Sequence, residues 1–518
     1  MAKLLPLTAA TLGSVFVIAF QLQLLPFFSP LFVDDRLFWP VIYYGVWSLV
    51  TGFTLVILAT QRPVLHRSLP VLVVCGFVAG LTLIHPIDSI SKNFLVATIF
   101  VACATVLAIA SAPLALLRFS ASATVLSAVI CLLDILFAHG FTNSVGRAAG
   151  LSINANVAAA ELLLGAASSY WVVPQRLRSP FLLIVGAAIF VTLSKSTLLA
   201  AIVICAGLGA DLIWTRVKAS GPRPRIRWVS LGVLALGLAG WVVVALFSND
   251  HFSVAATNSF QGVGSALKAF EEARDSIANA VISRNLSGEA GNPSQSNTTP
   301  VNADVEKKSK SDEMMEEIAR RAENEGDINS ISARGLLMEL AFRSYQSGPF
   351  LGQGLGAAHA IHPHNTFLLF AVAFGDLGWL VPIAFLGLTI CWVRSIQHLS
   401  LFLATFTVMT ISHDILLTPG LLAPVVFGVS GLTSLRHRIS DAPEALSAMR
   451  SIAAAPPILF ALGAAYAGIG TSSVAVAPKL LLLLVFGAIS LWSIAIWLWY
   501  EKPERQPENA LLQGHRWD

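Results

Sequence analysis

The chain has 518 residues, 55% of them apolar and 12% charged, with a mean hydropathy of +0.73 and a net charge of +4. That composition excludes a soluble globular domain and places the chain among integral membrane proteins. So small a net charge gives no ground for nucleic-acid binding.

A helix needs about 20 apolar residues to cross about 30 Å of hydrocarbon. Runs of this kind fall near 7–28, 38–60, 69–85, 94–117, 121–138, 153–173, 181–194, 196–214 and 228–247, then 366–392, 399–416, 419–435, 455–472 and 477–500. The expected fold is an all-α polytopic membrane bundle of about 12–14 transmembrane helices with one large periplasmic loop. With Lys3 inside, the inner breaks hold Arg62 and Arg67, Arg118, Arg176 and Arg178, the stretch RVKASGPRPRIRW (216–228), Arg394 and the RHR of 436–438. This is the cytoplasmic excess of Lys and Arg expected of a membrane protein. The first run has no small-residue cleavage site and reads as a retained span. Trp39, Trp171, Trp214, Trp228, Trp392 and Trp499 lie near span ends, where interfacial aromatics sit.

Cys75, Cys103, Cys131, Cys205 and Cys391 all fall inside apolar runs, so they read as small packing residues rather than disulfide partners or metal ligands. Of the 33 basic and 29 acidic residues, 22 fall in 268–334, after the ninth run and so outside. The flanks 260–282 and 312–326 are helical in pattern, and 286–312, nearly without bulky apolar residues, reads as disordered. This insertion is a solvated loop or a cap over a cavity. The chain divides into an N-terminal bundle of about nine spans (1–247), a periplasmic loop with an Arg- and Gly-rich end (248–363), core spans with a His-Asn motif (364–438), and two added spans with a cytoplasmic tail (439–518).

On the predicted outer face the polar residues are unusual. Arg147, Asn154 and Asn156 lie in GRAAGLSINANVAA (146–159), Lys195 in TLSKSTLL (192–199), and Arg334 and Arg343 in ARGLLMELAFRSYQSGPFLGQGLG (333–356), followed by His359, His362, His364 and Asn365. Any one cation could snorkel to headgroups. GQGLG (352–356) could be a phosphate cradle or a plain Gly-rich turn. Four cations and a histidine converging where positive charge is least expected favours a site.

HNTFLLFAVAFGDLG resembles the His-Asn-x9-Gly-x-x-Gly signature of the O-antigen ligase and polymerase superfamily. RAAGLSINANVAAAEL (147–162), TLSKSTLLAAIV (192–203) and RGLLMELAFRSYQSGPFLGQGLG (334–356) are similar to three further family blocks in the same order, and the resemblance covers about 145–435. Lys195 stands where the family often has arginine, and Phe374 replaces the usual acidic residue before Gly375, with Asp376 following.

The resemblance implies transfer of a glycan from an undecaprenyl diphosphate carrier to an acceptor hydroxyl. The reaction would take place at the periplasmic face of the bacterial inner membrane, without nucleotide, metal or other cofactor. The acceptor would be lipid A-core for a ligase and a second lipid-linked glycan for a polymerase. Breaking a sugar–diphosphate bond develops negative charge on the leaving group, which guanidinium groups stabilise. Arg147, Arg334, Lys195 and Arg343 are expected in that role, with Asn154 and Asn156 beside them. His364 is the expected base, since a histidine ordinarily titrates near ~6.5. Asn365 would orient it or hold a sugar hydroxyl, and Gly375 and Gly378 would let helices pack closely behind it.

Two rivals remain. Asp35, in VDDRL (33–37), occupies the outer-loop position of a catalytic acid. A transporter would use Glu161 and the pair His413 and Asp414 within spans, though the chain shows no internal repeat.

Overall fold

The structure is a computed structural model describing residues 4–28, 38–136, 146–152, 154–194, 197–198, 200–202, 204, 228–250, 252–257, 331–391, 393, 395–412, 415–437, 439, 441–470 and 476–501. Lys195, Asp35, Cys205, His413, Asp414 and most of the charged insertion lie outside them. The elements in chain order begin with α1 (Leu4–Phe16), a π-helical turn (Val17–Gln21), α2 (Leu24–Phe28), α3 (Phe38–Thr60), α4 (Arg62–Thr82), α5 (Ser89–Ala110) and α6 (Pro113–Asp134). They continue with α7 (Ala155–Ser169), α8 (Arg178–Val191), α9 (Trp228–Ser248), α10 (Ile331–Ser347), α11 (Leu355–Ala360) and α12 (Thr366–Phe374). A 3-10 segment (Gly375–Trp379) leads into α13 (Leu380–Ile390), α14 (Ile396–Ile411), α15 (Pro419–His437), α16 (Pro443–Ile452), α17 (Ala455–Gly470) and α18 (Val476–Glu501). Among the described residues there is no strand, and six helices are long and apolar enough to cross a membrane. The chain is an all-α polytopic membrane bundle.

Which faces are apolar explains the layering. On α3, α4 and α9, Leu49, Val73, Val233, Leu236 and Phe247 stand exposed, as lipid-facing side chains do. α7 is central, since all its residues but Asn156 are buried. Close approach there depends on small residues: a Cβ on Gly165 would come 2.3 Å from Thr124 Oγ1, and one on Gly431 2.7 Å from a Leu117 methyl.

Several expectations shift. The run 94–117 is two helices, because the chain turns at Ser111–Ala112 and Pro113 opens α6, leaving Arg118 inside the helix. The run 366–392 is broken at Gly375. Trp171 is buried with its ring centroid 5.3 Å from that of His398, so it packs inside rather than at an interface. Cys75, Cys103 and Cys131 are buried free thiols, whereas Cys391 is exposed at the end of α13.

The connections sort to two ends of the bundle. At one, Leu114 N–H donates to Asp441 Oδ1 (3.1 Å), Ala442 N–H to Ser111 O (3.2 Å) and Arg178 Nη1 to Gln397 Oε1 (3.3 Å). At the other, Ala148 N–H donates to Val191 O (3.2 Å), Asn249 Nδ2 to Ile135 O (2.9 Å) and Thr366 Oγ1 to Ser412 O (2.6 Å). Of the residues singled out from the sequence, Arg147, Asn154, Asn156, His364 and Asn365 belong to this second end.

Candidate functional site

The head of α12 is held by its own cap. Asn365 Oδ1 accepts from Leu368 N–H (3.0 Å) while its Nδ2 donates to Thr410 O (3.2 Å), and with Thr366 on Ser412 this ties α12 to the end of α14. Asn365 is thus an N-cap and a tether. Immediately before it, His362 (φ 49) and His364 (φ 47) both adopt left-handed backbone, a conformation that costs a non-glycine residue about 1–3 kcal/mol and clusters at functional sites. His364 is half-buried and His362 exposed, and the rings of His359 and His362 lie 4.9 Å apart.

The far end of α12 is equally constrained. Gln353 and Gly354 donate their N–H groups to Val372 O and Ala373 O, both at 2.9 Å, so the GQGLG loop caps the last turn of α12. Those two N–H groups are therefore engaged on helix carbonyls, which favours the turn over the phosphate cradle. Gly375 (φ 62) abuts Phe350 O, and Gly378 abuts Phe370 O, so these glycines fold the chain back on itself rather than let two separate helices meet. Tyr345 Oη donates to Asp376 Oδ1 (2.6 Å), joining α10 to the 3-10 segment.

Arg147 lies in the loop that leads into α7. Its Nε donates to Thr192 O (2.9 Å) and its Nη2 to Asn156 Oδ1 (2.8 Å), so half of the block 147–156 is braced against the end of α8. Asn154 caps α7, accepting from the N–H groups of Asn156 (3.0 Å) and Val157 (2.9 Å). These bonds give both asparagines structural work. Arg343 is exposed and paired with Glu339 on its own helix. Arg334 lies in the first turn of α10, and its side chain falls outside the described residues, as does Lys195.

Helical rise relates the two clusters. Ser400 Oγ, near the start of α14, donates to Ala167 O, near the end of α7, at 2.9 Å. The helices run antiparallel, so Thr410, ten residues on from Ser400, and Val157, ten residues back from Ala167, both lie about 15 Å toward the same end from that contact. Thr410 carries Asn365, next to His364, and Asn156 carries Arg147. These two helices pack against each other, so the loops that carry His364 and Arg147 belong to the same end of neighbouring helices.

Comparison with protein-family models, with curated proteins and with solved structures gives no match.

Sequence reasoning missed His85 and Asp88. His85 Nε2 meets Leu351 O (2.8 Å), and Asp88 caps α5 through Ser91 N–H (2.7 Å) while also binding the N–H of Gly356. The Asp-Ser-Ile-Ser order is a helix-start signal that could have pointed to Asp88 as a cap, but nothing local signals its second bond. Burial works against ionisation of Asp88, yet the N–H and hydroxyl of Ser91 and the N–H groups of Gly356 and Ile90 outweigh it and hold the carboxyl below its ordinary value. A depressed folded pKa contributes stability above the unfolded value of about 3.9, and that contribution is lost as pH falls through the folded value. Asp88→Ala is expected to cost about 0.5–2 kcal/mol at neutral pH. Asp88→Asn retains a cap and flattens the acid limb of the melting temperature between about pH 5 and 3. Thermal melts of the three proteins across that range check both.

Proposed function

We propose that this protein is a glycosyltransferase of the bacterial inner membrane. In this reading it moves a glycan from an undecaprenyl diphosphate carrier to an acceptor hydroxyl at the periplasmic face, as an O-antigen ligase does. The observation that carries it is the pair of left-handed histidines at the tethered head of α12, at the same end of the bundle as Arg147.

The chemistry follows from the groups. The acceptor oxygen attacks the anomeric carbon as the carbon–oxygen bond to the diphosphate breaks, and the bonding pair leaves with the polyprenyl diphosphate. His364 takes the hydroxyl proton and later releases it to water. A single displacement inverts the anomeric centre. Arg147 and Arg334, with Lys195, stabilise the charge that grows on the leaving diphosphate. Arg343, already paired with Glu339 at the surface, has the weakest claim to a substrate contact. The four ordered sequence blocks favour ligase or polymerase over transport.

The test is the surface glycan of the native host, profiled by gel and mass analysis in a deletion strain and after complementation. Polymerised glycan held on its lipid carrier with none on lipid A-core is the result expected of a ligase. Accumulation of single lipid-linked repeats would assign the polymerase reaction instead, and an unchanged glycan profile would overturn the reading. Complementation with Arg334→Ala is expected to reproduce the deletion, and Asp35→Ala to restore the wild-type pattern.

A further inference from the structure

Glu161, the carboxylate at the centre of α7, is 2% exposed and lies inside the bundle. Its contacts are neutral. Gln23 Nε2 donates to Oε2 (3.1 Å), Ser152 Oγ to the same oxygen (3.3 Å) and Ser127 Oγ to Oε1 (3.3 Å). Among the described residues no Lys or Arg contacts it, and α6 faces it with Cys131 and, one turn on, Asp134. A buried charge without a counter-charge is costly in a membrane interior.

Gln23 adds a second, independent observation. Its amide oxygen Oε1 has no hydrogen-bond partner among the described residues although the side chain is 1% exposed. Gln21, two residues earlier, differs: its nitrogen donates to Ser120 O (3.0 Å) and Thr124 Oγ1 (3.1 Å), and its oxygen accepts from Ser120 Oγ (2.7 Å). Gln23 also has left-handed backbone (φ 58) directly after the π-helical turn, and a Cβ on Gly420 would fall 2.1 Å from its Nε2. Backbone strain, a π-turn and a glycine across the interface therefore all place this one amide. Gln23, Ser127, Ser152 and Glu161 line a common cavity of about 10 Å³, room for one water-sized occupant.

We propose that this cavity is a binding site for a sodium-sized monovalent cation, held by Glu161, the Gln23 amide oxygen and the hydroxyls of Ser127 and Ser152. The donor set is all oxygen, which suits a hard ion. Hydroxyls drawn to a carboxylate alone stand at about 2.5–2.7 Å, shorter than the 3.3 Å found here. Oxygens about 2.3–2.6 Å from one ion and at right angles about it stand roughly 3.3–3.7 Å apart. Glu161 is the one carboxylate in the cavity lining and balances one positive charge, which suits a monovalent ion. Ser152 belongs to the same segment as Arg147, so an ion here braces the backbone that carries the arginine. The inference stands on this geometry and not on the glycan-transfer reading, which survives its failure.

The test uses the full-length protein in detergent. Specific binding of radioactive sodium is measured against choline, together with thermal unfolding in sodium and choline chlorides at equal ionic strength. The wild type is expected to bind sodium saturably and to melt at higher temperature in sodium. Glu161→Gln is expected to lose both effects, and Ser152→Ala to bind at least tenfold more weakly. If Glu161→Gln does not fold, Ser152→Ala and Ser127→Ala decide. Wild-type binding no greater than the choline background, as for a carboxyl that is simply protonated, overturns the proposal. Unchanged sodium affinity in the variants does so too.

Discussion

His364→Ala is expected to lower glycan transfer about 10²- to 10⁴-fold, the usual contribution of a positioned general base. The protein should still insert and melt normally. The backbone supplies a sharper version of the experiment. At φ 47 a histidine is strained and a glycine is not, so His364→Gly should raise stability by up to about 1 kcal/mol while abolishing transfer. His362 has the same strained backbone (φ 49) but an exposed ring. His362→Gly should therefore gain similar stability and keep activity. Melting temperature and the glycan ladder, read on the same preparations, separate the two histidines. A His364→Gly protein that still transfers glycan would remove the ring from the mechanism and move attention to Asp35.

Much of the architecture was legible because bilayer thickness imposes a length that a hydropathy window detects. The runs 38–60 and 228–247 coincide closely with α3 and α9. Boundaries failed where charge was trusted over backbone chemistry: Arg118 suggested a break, but Pro113 marked the start of α6. Asn154 and Asn365 each stand just before a helix, a position where the sequence alone marks a cap as readily as a substrate contact. The Gly-x-x-Gly spacing was visible, yet apolar content alone gives no sign that Gly375 is left-handed and splits the span. Contacts such as His85 with Leu351, 266 residues apart, and Tyr345 with Asp376 depend on tertiary packing that one sequence does not carry.

The second large effect is expected at Gly375, far from the reacting groups. Its φ of 62 and ψ of −141 are open to glycine and strained for any L side chain, and an added Cβ would lie 1.9 Å from Phe350 O. Because the obstacle is a backbone carbonyl, no rotamer change relieves it, and strain with overpacking together imply a loss of roughly 3–5 kcal/mol for Gly375→Ala. Gly387, within α13, has nothing within 4 Å of the same added atom. Gly387→Ala should accordingly be neutral or stabilise by about 0.5–1 kcal/mol. The consequence for function follows from how α12 is held. Asn365 and Thr366 fix its head to α14, while the 350–354 loop fixes its tail through Val372 O and Ala373 O. Loss of the tail leaves nine residues tethered at one end only, so His364 at their head is less firmly positioned. Gly375→Ala should therefore lower melting temperature and glycan transfer together, whereas His364→Gly lowers transfer alone. If Gly375→Ala instead retains full stability, the close contact with Phe350 is not what holds the turn, and the positioning of α12 must come from its head.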